Sequence, residues 1–394
     1  MKLIKTQVGI VGAGPAGLML GRLLHLAGIE SVIVELRSRK HCEERIRAGV
    51  LEQTTVDLIH YAGVGDRMLA EGLIHDGIDL SFRGKRHRID IRDLTDGKQV
   101  TVYGQHEVVK DLIASRTGDG LPLLFESSGV RLAGLDSDSP SIHFVHEGEE
   151  CELQCDFIAG CDGFHGICRP SIPAGTLTFY DRDYPFAWLG ILAEAPPRLP
   201  ITYQNSARGF ALQSMRSRVI SRLYLQVEPD DEVANWSDER IWEELALRFE
   251  GEDGWSPQRG RILQKSLTGM RSFVTDPMQY GRLFLLGDAA HIVPPTGAKG
   301  MNLALADSLI FSRAVIAYFK KNDTDLLRSY SATCLLRIWK VQRFSWWMTS
   351  MLHKFADQSP FDQQRQLAEL DYVTTSRAAA TTLAENFVGL PLPL

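Results

Sequence analysis

The sequence has little of what marks secreted, membrane-spanning or nucleic-acid-binding proteins. Its six cysteines are scattered over 394 residues, a usage typical of reduced thiols rather than of a disulfide framework. Cys151 and Cys155 supply too few ligands for a structural zinc site, so no metal site is expected. No uncharged run reaches membrane-spanning length. Forty-three basic against forty-nine acidic side chains give a net charge of −6, which does not favour a nucleic-acid or membrane partner. These absences predict a cytoplasmic protein.

The most informative pattern lies near the N-terminus. The segment at 12–17 reads GAGPAG and stands between a strand-like run at 7–11 and a helix-like run at 18–24. Glu35 follows at the end of a second apolar run. In a dinucleotide site the first glycine makes a tight turn, the second lets the backbone approach a pyrophosphate, and the third lets helix and strand pack. Because a carboxylate at this spacing bonds a ribose hydroxyl, the segment predicts a nucleotide cofactor.

Two later segments follow the same logic. Asp162 and His165 lie in the sequence CDGFHG at 161–166, where a strand-like run ends. Asp288 follows the apolar run at 283–286 and precedes a glycine-rich turn that leads into a helix-like run. The backbone N–H groups of such a turn can hold an anion or an electron-rich ring. One Asp-Gly or Gly-Asp pair is more typical of an ordinary turn than of a binding site. Three glycine-containing segments in this order, each after a strand-like run, are better explained by a common site than by turns alone.

The pattern of strands and helices predicts an α/β fold (α+β overall) with a Rossmann-like nucleotide-binding domain, an inserted β-rich substrate domain and a helical C-terminal region. Strands are expected at 73–103, and a helix-like segment is expected from Arg45 to about residue 63. The predicted bounds are 1–180 for a discontinuous nucleotide domain (with 73–103 on the substrate side), 181–270 for the substrate domain, 271–322 for the return to the nucleotide domain, and 323–394 for the helical region.

The three motifs in this order resemble those of the single-component aromatic flavoprotein monooxygenases. The likeness covers nearly the whole chain and is closest at 45–53, 160–166, 287–300 and 343–350. It implies that the Rossmann-like domain binds FAD non-covalently, that NADPH is the reductant, and that oxygen from O2 enters a phenol ring through a flavin hydroperoxide. Within this class, the resemblance is to members that convert 4-hydroxybenzoate to 3,4-dihydroxybenzoate. It also implies a homodimer with a small aromatic carboxylate as substrate.

The resemblance assigns the cofactor contacts residue by residue. Glu35 would bond the adenosine ribose, Asp288 the ribityl chain, and the backbone at Met301 and Asn302 the pyrimidine edge of the flavin. The full set of implied FAD contacts is Gly12, Gly14, Pro15, Ala16, Gly17, Glu35, Arg45, Arg47, Ala48, Gly49, Val50, Gln105, Asp162, Asp288, Gly300, Met301 and Asn302.

The resemblance also implies a substrate site. Its members would be Tyr203 at the phenolic oxygen, the Pro295 carbonyl at the same hydroxyl, Ser214, Arg216 and Tyr224 at the carboxylate, Arg222 near the flavin, and Gln213, Met215 and Thr296 alongside. Independently of the resemblance, strand alternation places Ser214 and Arg216 on one face, where a guanidinium beside a hydroxyl suits a benzoate carboxylate. The alternative is that Arg216 and Arg222 are ordinary surface cations.

The basic turn after Glu35 bears on the reductant. Arg37 and His41 lie in it, and basic side chains suit the 2′-phosphate of NADPH, although a charge run is also typical of a solvated face. Leu36, Arg37 and His41 depart from the family pattern. The resemblance adds Arg47, His165 and Arg271 as contacts of the nicotinamide nucleotide, and NADPH is expected in preference to NADH.

One departure from the family pattern falls inside the expected pocket. Related 4-hydroxybenzoate enzymes have a tyrosine where this chain has Phe387, and in them that hydroxyl links the equivalent of Tyr203 to a histidine matched here by His75. The implied catalytic set is therefore Tyr203, Pro295, Arg222, Phe387 and His75. Because phenylalanine cannot pass a proton, the enzyme either activates 4-hydroxybenzoate less well or accepts 3,4-dihydroxybenzoate (giving gallate) or 4-aminobenzoate.

Three rival interpretations remain at this stage. A flavin-dependent halogenase shares the glycine-rich fingerprint, but its WxWxIP signature is absent, since 186–190 reads FAWLG. A flavin reductase or oxidase would consume NADPH without inserting oxygen. A non-catalytic FAD-binding module would be inert to NADPH with every phenolic acid.

Overall fold

The structure is a computed structural model that describes residues 1–45, 49–252 and 254–392. The predicted contacts Arg47 and Ala48 lie outside the described residues. The helices are α1 Pro15–Leu26, α2 Arg39–Glu44, α3 Gln53–Tyr61, α4 Asp66–Glu71, α5 Ile91–Leu94, α6 Gln105–Gly118, α7 Asp238–Phe249, α8 Gly300–Lys321, α9 Asp325–Leu352, α10 Pro360–Thr375 and α11 Arg377–Val388.

The strands alternate with these helices in the first half of the chain and dominate its centre. They are β1 Lys2–Lys5, β2 Val8–Val11, β3 Ser31–Val34, β4 Val50–Leu51, β5 Leu73–His75, β6 Gly77–Phe82, β7 Lys85–Asp90, β8 Val100–Val102, β9 Leu123–Leu124, β10 Ser128–Ala133, β11 Ser141–His146, β12 Glu149–Gln154, β13 Phe157–Gly160, β14 Thr178–Glu194, β15 Ile201–Gln204, β16 Ala211–Met215, β17 Ser221–Val227, β18 Arg261–Asp276, β19 Gln279–Tyr280, β20 Leu283–Leu285 and β21 His291–Ile292.

A mainly parallel sheet forms the nucleotide-binding part. Its order is β19-β20-β13-β2-β3-β9, and every pair from β20 to β9 is parallel. All residues of β2, β3 and β13 are buried, as expected for strands covered by helices on both faces. Helix α1 connects β2 to β3 and packs against α8. Because β2, β13 and β20 are parallel neighbours, they end at the same edge of the sheet. The three glycine-containing motifs follow these three strands, which brings them together. The predicted α/β fold is confirmed.

A second sheet of order β21-β18-β14-β17-β16-β15-β6-β7 forms the other large part of the molecule. One face packs a core around Tyr203, Phe210 and Trp188. The opposite face packs Leu189 and Leu223 against α7. Strands β14 and β18 run across the predicted domain boundaries after residues 180 and 270, and the domain division itself stays a prediction.

Two segments differ from the prediction for local reasons. Val50 and Leu51 pair with β8 as a short strand, so the helix expected from Arg45 begins only at Gln53. Within 73–103, the Asp90 side chain accepts a hydrogen bond from the Asp93 N–H and caps the short helix α5 between the strands.

The last part of the chain is helical and covers the inner face of the second sheet. Helix α10 begins with a capping box in which Ser359 and Asp362 bond each other's backbone N–H groups. Helix α11 carries Phe387 into the core that contains Tyr203. Among the described residues, α8 is the helix long and apolar enough to cross a membrane by length and composition, but 78% of its most apolar window is buried inside the protein.

Candidate functional site

The glycines at 12–17 have different physical roles. A Cβ at Gly12, whose φ is +107°, would lie 2.4 Å from the Cys161 carbonyl oxygen, and one at Gly17 would lie 2.1 Å from the Gly12 carbonyl oxygen. Both positions therefore require glycine for packing. A Cβ at Gly14 would meet no described atom within 4 Å. Gly14 caps α1 and Pro15 opens it, so an open surface lies beside unbonded helix N–H groups. This arrangement fits a pyrophosphate.

Glu35 is fixed by two backbone groups. Its Oε2 accepts a hydrogen bond from the Ala13 N–H at 2.6 Å, and its Oε1 accepts one from the Arg37 N–H at 2.7 Å. The carboxylate at the end of β3 therefore holds the glycine-rich loop in position. Each oxygen has a second lone pair, so the predicted bond to a ribose hydroxyl stays possible beside this structural role, which the sequence reasoning missed.

Asp162 lies at the end of β13, next to the glycine-rich loop. Its Oδ2 accepts a hydrogen bond from the Cys168 N–H at 2.8 Å, whereas its buried Oδ1 has no partner among the described residues. Burial raises the pKa of this carboxyl group. A Cβ at Gly166 would fall 2.0 Å from the Asp162 carboxyl carbon, so the turn closes tightly on the side chain. An unsatisfied buried acceptor here fits a hydroxyl donor of a cofactor.

An aromatic and cationic cluster joins the second motif to the third. The guanidinium groups of Arg169 and Arg271 lie 4.6 Å and 4.5 Å from the centre of the Phe164 ring. Arg169 also donates to the carbonyl oxygens of Phe164 at 2.7 Å and Ala289 at 2.9 Å. The ring of His165 lies 5.0 Å from that of Phe164. The sequence reasoning missed Arg169, whose only signal was its position just after the motif.

Arg271 is held by acidic side chains in this structure. Its Nε donates to Asp181 Oδ1 at 2.7 Å, a second guanidinium nitrogen pairs with the other carboxylate oxygen, and Asp183 lies 3.7 Å away. The bond from Arg271 lowers the pKa of Asp181. A nucleotide phosphate would therefore compete with Asp181 for this guanidinium.

The third motif is built around a buried ion pair. The N–H of Gly287, whose φ is +61°, donates to Asp307 Oδ2 at 2.9 Å, and His291 Nε2 lies 2.6 Å from the same oxygen. Burial alone would lower the pKa of His291, but the charge of Asp307 outweighs it and the pKa is raised. This anchor leaves Asp288 exposed on the outside of the turn, where a ribityl chain could reach it. Asp307 was not predicted, since it lies inside a helix sixteen residues beyond His291.

The turn that leads into α8 is held by a second buried network. The amide of Asn302 accepts from the Glu52 N–H at 3.0 Å and donates to the carbonyl oxygens of Val50 at 3.0 Å and Ala298 at 2.8 Å. Ala298 has a φ of +54°, a left-handed conformation that these bonds help to maintain. The side chain of Asn302 therefore ties the turn to β4, and only its backbone is left for the predicted flavin contact.

Lys299 is fully buried beneath this turn. Its Nζ donates to Glu52 Oε1 at 2.6 Å and to the carbonyl oxygens of Asn386 at 2.6 Å and Phe387 at 2.9 Å. Arg337 donates to the other Glu52 oxygen at 2.9 Å. Burial lowers the pKa of Lys299 although Glu52 opposes the shift. One anion thus faces two cations, and the network fixes the C-terminal segment against the turn.

The predicted substrate residues meet on the inner face of the second sheet. Tyr203 stands opposite Leu212 and Leu212 opposite Tyr224, while Ser214 stands opposite Arg222. Directly opposed residues share a face, and so do residues two apart on a strand. The side chains of Tyr203, Ser214, Arg222 and Tyr224 therefore face the same side.

The same alternation removes two predicted residues from this face. Gln213 stands opposite Leu223, and its Nε2 lies 3.5 Å from Ser221 Oγ on the outer side of the sheet. Met215 stands opposite Ser221 and shares that outer side. The side chains of Gln213 and Met215 therefore face away from this pocket, and the prediction that these two residues bind substrate is limited to their backbone groups.

Two guanidinium groups give the pocket a positive potential. Arg222 is 8% exposed, donates to Ser266 Oγ at 3.4 Å, and lies 5.3 Å from the centre of the Tyr224 ring. Its other terminal nitrogen has no partner among the described residues. Arg216, half-buried after β16, bonds Tyr224, and burial lowers its pKa. This burial does not fit the alternative that Arg216 and Arg222 are ordinary surface cations.

Tyr203 lies at the other end of the pocket. Its buried hydroxyl donates to the Thr296 carbonyl oxygen at 3.0 Å, and burial raises its pKa. The neighbouring Pro295 carbonyl accepts from the Ala298 N–H at 2.9 Å within the turn. Phe387 packs edge-on against Tyr203 with ring centres 6.3 Å apart. The predicted role of Pro295 toward a substrate hydroxyl stays a prediction.

His75 is buried in β5, and neither ring nitrogen has a partner among the described residues. Burial, together with the nearby positive charge of Arg88, lowers its pKa to about 4. The imidazole is therefore neutral near pH 7.

The remaining predicted cofactor residues lie around the cleft: Arg45 after α2, Gly49 and Val50 at β4, Gln105 at the start of α6, and Gly300 and Met301 at the start of α8. Arg37 and His41 are exposed on and beside α2.

The sequence reasoning also missed His353, which supports the pocket from behind. Trp188 Nε1 donates to its Nε2 at 2.7 Å, and its Nδ1 lies 3.0 Å from the Thr349 carbonyl oxygen. Its ring stacks on Phe210 at 4.2 Å and on Phe186 at 4.6 Å. Burial lowers its pKa to about 3, so the imidazole is neutral and accepts the indole bond.

Comparisons with known proteins show the family to which the chain belongs. The FAD binding domain family matches residues 5–345. The chain is 50% identical over 392 residues to p-hydroxybenzoate hydroxylase of Acinetobacter baylyi, which covers 99% of this chain and 97% of that protein. It is 25% identical to a probable NADH-specific resorcinol 4-hydroxylase of Rhodococcus jostii, over 83% of this chain and 62% of the relative.

Solved structures agree in fold. The p-nitrophenol 4-monooxygenase PnpA of Pseudomonas putida superposes with a TM-score of 0.85 at 18% identity, over 99% of this chain and 100% of that one. At this identity the likeness concerns the fold alone. The family match and the 50% identical relative go further. The chain belongs to the FAD binding domain family, and it is a flavoprotein aromatic monooxygenase that acts on a small aromatic substrate with FAD, NADPH and O2.

Proposed function

We propose that this enzyme hydroxylates 4-hydroxybenzoate at ring position 3 to give 3,4-dihydroxybenzoate. The observation that carries the proposal is the placement of Tyr203, Arg222 and Tyr224 on one sheet face, with Arg216 following β16 and bonding Tyr224. The Tyr203 hydroxyl bonds the turn at 295–302 through the Thr296 carbonyl. The 50% identity to a p-hydroxybenzoate hydroxylase supports the same substrate.

The two ends of the pocket suit the two ends of this molecule. Arg216, Ser214 and Tyr224 bind the carboxylate, because a guanidinium beside two hydroxyl groups offers charge-assisted hydrogen bonds. Tyr203 bonds the phenolic oxygen. Strand β16 separates Tyr203 from Tyr224, so their backbones stand two inter-strand spacings apart, about 10 Å. A para-substituted ring that reaches both residues would lie over Leu212, which faces the same side of the sheet.

The cofactor cleft fits FAD on three features of the chain. The Gly14 surface accepts the pyrophosphate, Asp162 Oδ1 is a buried acceptor without a described partner, and Asp288 is an exposed carboxylate at the third motif. When bound and reduced, FAD supplies the activation of O2. The chain supplies the rest: Arg222 stabilises negative charge beside the ring, and Phe387 helps to keep water out.

We propose that the exposed basic residues Arg37 and His41, with Arg47, favour NADPH by binding its 2′-phosphate. His165 and Arg271 would contact the same nucleotide, with a phosphate displacing Asp181 from Arg271. A homodimer is a further proposal, supported by the resemblance that the sequence shows to its family. A cytoplasmic location is also proposed, on the scattered cysteines and the charge balance of the sequence.

Phe387 favours a second candidate substrate. Phe387 brings a ring edge, not a hydroxyl, to Tyr203, and His75 keeps two ring nitrogens without described partners. Because Phe387 cannot pass a proton from Tyr203 to His75, the pocket would suit a ring that needs no phenol deprotonation, such as 4-aminobenzoate. It would also suit a ring with a second hydroxyl, such as 3,4-dihydroxybenzoate.

A substrate panel separates these possibilities. FAD-loaded enzyme is given NADPH and O2 with each of the three acids, and NADPH loss, hydrogen peroxide and hydroxylated product are measured together. We expect the highest kcat/KM for product formation with 4-hydroxybenzoate. Faster conversion of either other acid would reject the proposed substrate. NADPH loss that yields peroxide alone with all three would indicate a reductase or oxidase.

A further inference from the structure

The C-terminal half of α9 carries a row of buried polar side chains that faces the turn at 295–297. Ser345, Thr349 and His353 follow one another at intervals of four residues, and each is 0% exposed. Residues four apart lie on one face of a helix. A Cβ at Gly297 would lie 3.1 Å from Ser345 Oγ, so the turn packs directly on this face. A polar helix face therefore lies behind the turn that bonds Tyr203.

The direction of the hydrogen bonds on this face follows from the number of hydrogens available. Thr349 Oγ1 donates to the Ser345 carbonyl oxygen at 2.7 Å. A hydroxyl group has one hydrogen, so at the 2.9 Å contact between Thr349 Oγ1 and Thr296 Oγ1 the hydrogen comes from Thr296. The hydroxyl of Thr296 is therefore directed toward α9 and bound there.

Thr349 is itself held in place by His353. The backbone N–H of His353 donates to the Thr349 carbonyl oxygen at 3.0 Å. Its Nε2 accepts the Trp188 indole bond, so Nδ1 of the neutral ring carries the hydrogen and donates to the same carbonyl oxygen at 3.0 Å. Two hydrogen bonds to one carbonyl thus fix Thr349 near the end of α9.

The carbonyl of Thr296 connects this helix face to the substrate pocket. It accepts the hydrogen of the Tyr203 hydroxyl at 3.0 Å. A tyrosine whose hydrogen is held in this way presents only its oxygen lone pairs to a ligand. If the carbonyl moved away, the hydroxyl could rotate and donate to the ligand instead. The bond between Thr296 and Thr349 therefore bears on whether Tyr203 accepts or donates at the substrate.

We propose that Thr349 is a positioning residue for the hydroxylation, which acts through Thr296 to hold Tyr203 as a hydrogen-bond acceptor toward the substrate. The proposal rests on the function proposed above, in which Tyr203 meets the phenolic oxygen. The Thr349 hydroxyl is bonded to Thr296 and to its own helix, so its effect on the reaction passes through the turn and Tyr203.

A double-mutant cycle between Thr349 and Tyr203 tests the proposal. FAD-loaded wild type, Thr349→Val, Tyr203→Phe and the double variant receive NADPH, O2 and the acid that wild type converts fastest in the substrate panel. Loss of one neutral hydrogen bond should lower kcat for product formation about two- to tenfold in Thr349→Val. In the Tyr203→Phe background the same substitution should have no further effect, because the two residues act in one chain. Equal effects in both backgrounds would overturn the positioning role.

Three further measurements separate positioning from general stability. Thr349→Ser keeps the hydroxyl and should restore the wild-type kcat. Thr117→Val removes an exposed hydroxyl that bonds the carbonyl four residues earlier on α6, and it should leave kcat unchanged. The Kd of the acid in a flavin spectral titration should change by less than about twofold in Thr349→Val, because the carboxylate contacts lie elsewhere. Wild-type kcat in Thr349→Val, or a Thr349→Ser variant as slow as Thr349→Val, would overturn the proposal.

The result for Tyr203→Phe distinguishes this proposal from the function on which it rests. Wild-type product formation by Tyr203→Phe would reject the role of Tyr203 at the phenolic oxygen, and the positioning role with it. A slower Tyr203→Phe variant, combined with a full additional loss from Thr349→Val, would leave the proposed function in place and overturn the positioning role alone.

Discussion

Acid should destabilise this protein through a histidine that must stay neutral. His353 is fully buried, and its pKa falls from the ordinary 6.5 to about 3 in the folded chain. In the unfolded chain it regains its ordinary pKa. The folded-state pKa is depressed, so the stabilising contribution is complete above pH 6.5 and is lost as the pH falls from 6.5 toward 3.

The size of the effect follows from the shift. One pKa unit corresponds to about 1.4 kcal/mol, so at pH 5, about 1.5 units below the ordinary pKa, His353 alone removes about 2 kcal/mol from the free energy of unfolding. A loss of this size is a sizeable part of the 5–15 kcal/mol typical of a folded domain. Protonation also removes the lone pair on Nε2 that accepts the Trp188 indole bond.

Chemical denaturation between pH 7.5 and 4.5 measures this contribution. His75, with a folded pKa of about 4, also lowers the free energy of unfolding as the pH falls. The slope of the free energy of unfolding against pH is therefore compared between wild type and a variant. His353→Gln removes the titrating group and should lower the slope by about one proton between pH 6 and 4.5. His60→Gln, on the exposed end of α3, controls for the loss of a histidine as such. Equal slopes in wild type and His353→Gln would refute the reasoning.

The remaining predictions concern the proposed site. Arg216→Ala should weaken 4-hydroxybenzoate binding by about 1.5–3 kcal/mol with little change in FAD content; unaltered affinity in a flavin spectral titration would remove Arg216 from the site. Phe387→Tyr should raise the ratio of hydroxylated product to NADPH consumed with 4-hydroxybenzoate, and a ratio unchanged across pH 6.5–8.5 would show that the hydroxyl adds no proton path. Arg37→Ala combined with His41→Ala should raise KM for NADPH more than KM for NADH; equal changes in steady-state assays with both nucleotides would mean that these residues do not select the phosphate.

Local sequence patterns were enough to predict most of the fold and the position of the cofactor cleft. The order strand, glycine-rich turn, helix, strand and acid at 7–35 has few physical solutions, because a parallel strand pair needs a helix between its members. The same reasoning applies to the motifs that follow β13 and β20. Since parallel strands that are neighbours in one sheet end at one edge, placing each motif at a strand end was enough to bring the three together.

Long-range pairs could not be found in this way. Glu52 meets Lys299 and Arg337 across 247 and 285 residues, and His353 meets Trp188 across 165. No spacing rule links residues so far apart. A signal was available for Gln213, however, because the alternation that puts Ser214 on the inner face puts its neighbour on the outer one.

The fixed charges of the pocket explain how a substrate phenol can be activated beside Phe387. Burial raises the pKa of Tyr203, so its hydroxyl stays protonated, and its hydrogen is donated to the Thr296 carbonyl oxygen. His75 is neutral near pH 7 and has no described partner through which to receive a proton. Arg222, by contrast, keeps an unbonded donor nitrogen beside the aromatic ring of Tyr224. We therefore expect Arg222 to stabilise negative charge in this pocket, and we expect Tyr203, whose hydrogen goes to the Thr296 carbonyl, to accept the hydrogen bond of a substrate phenol.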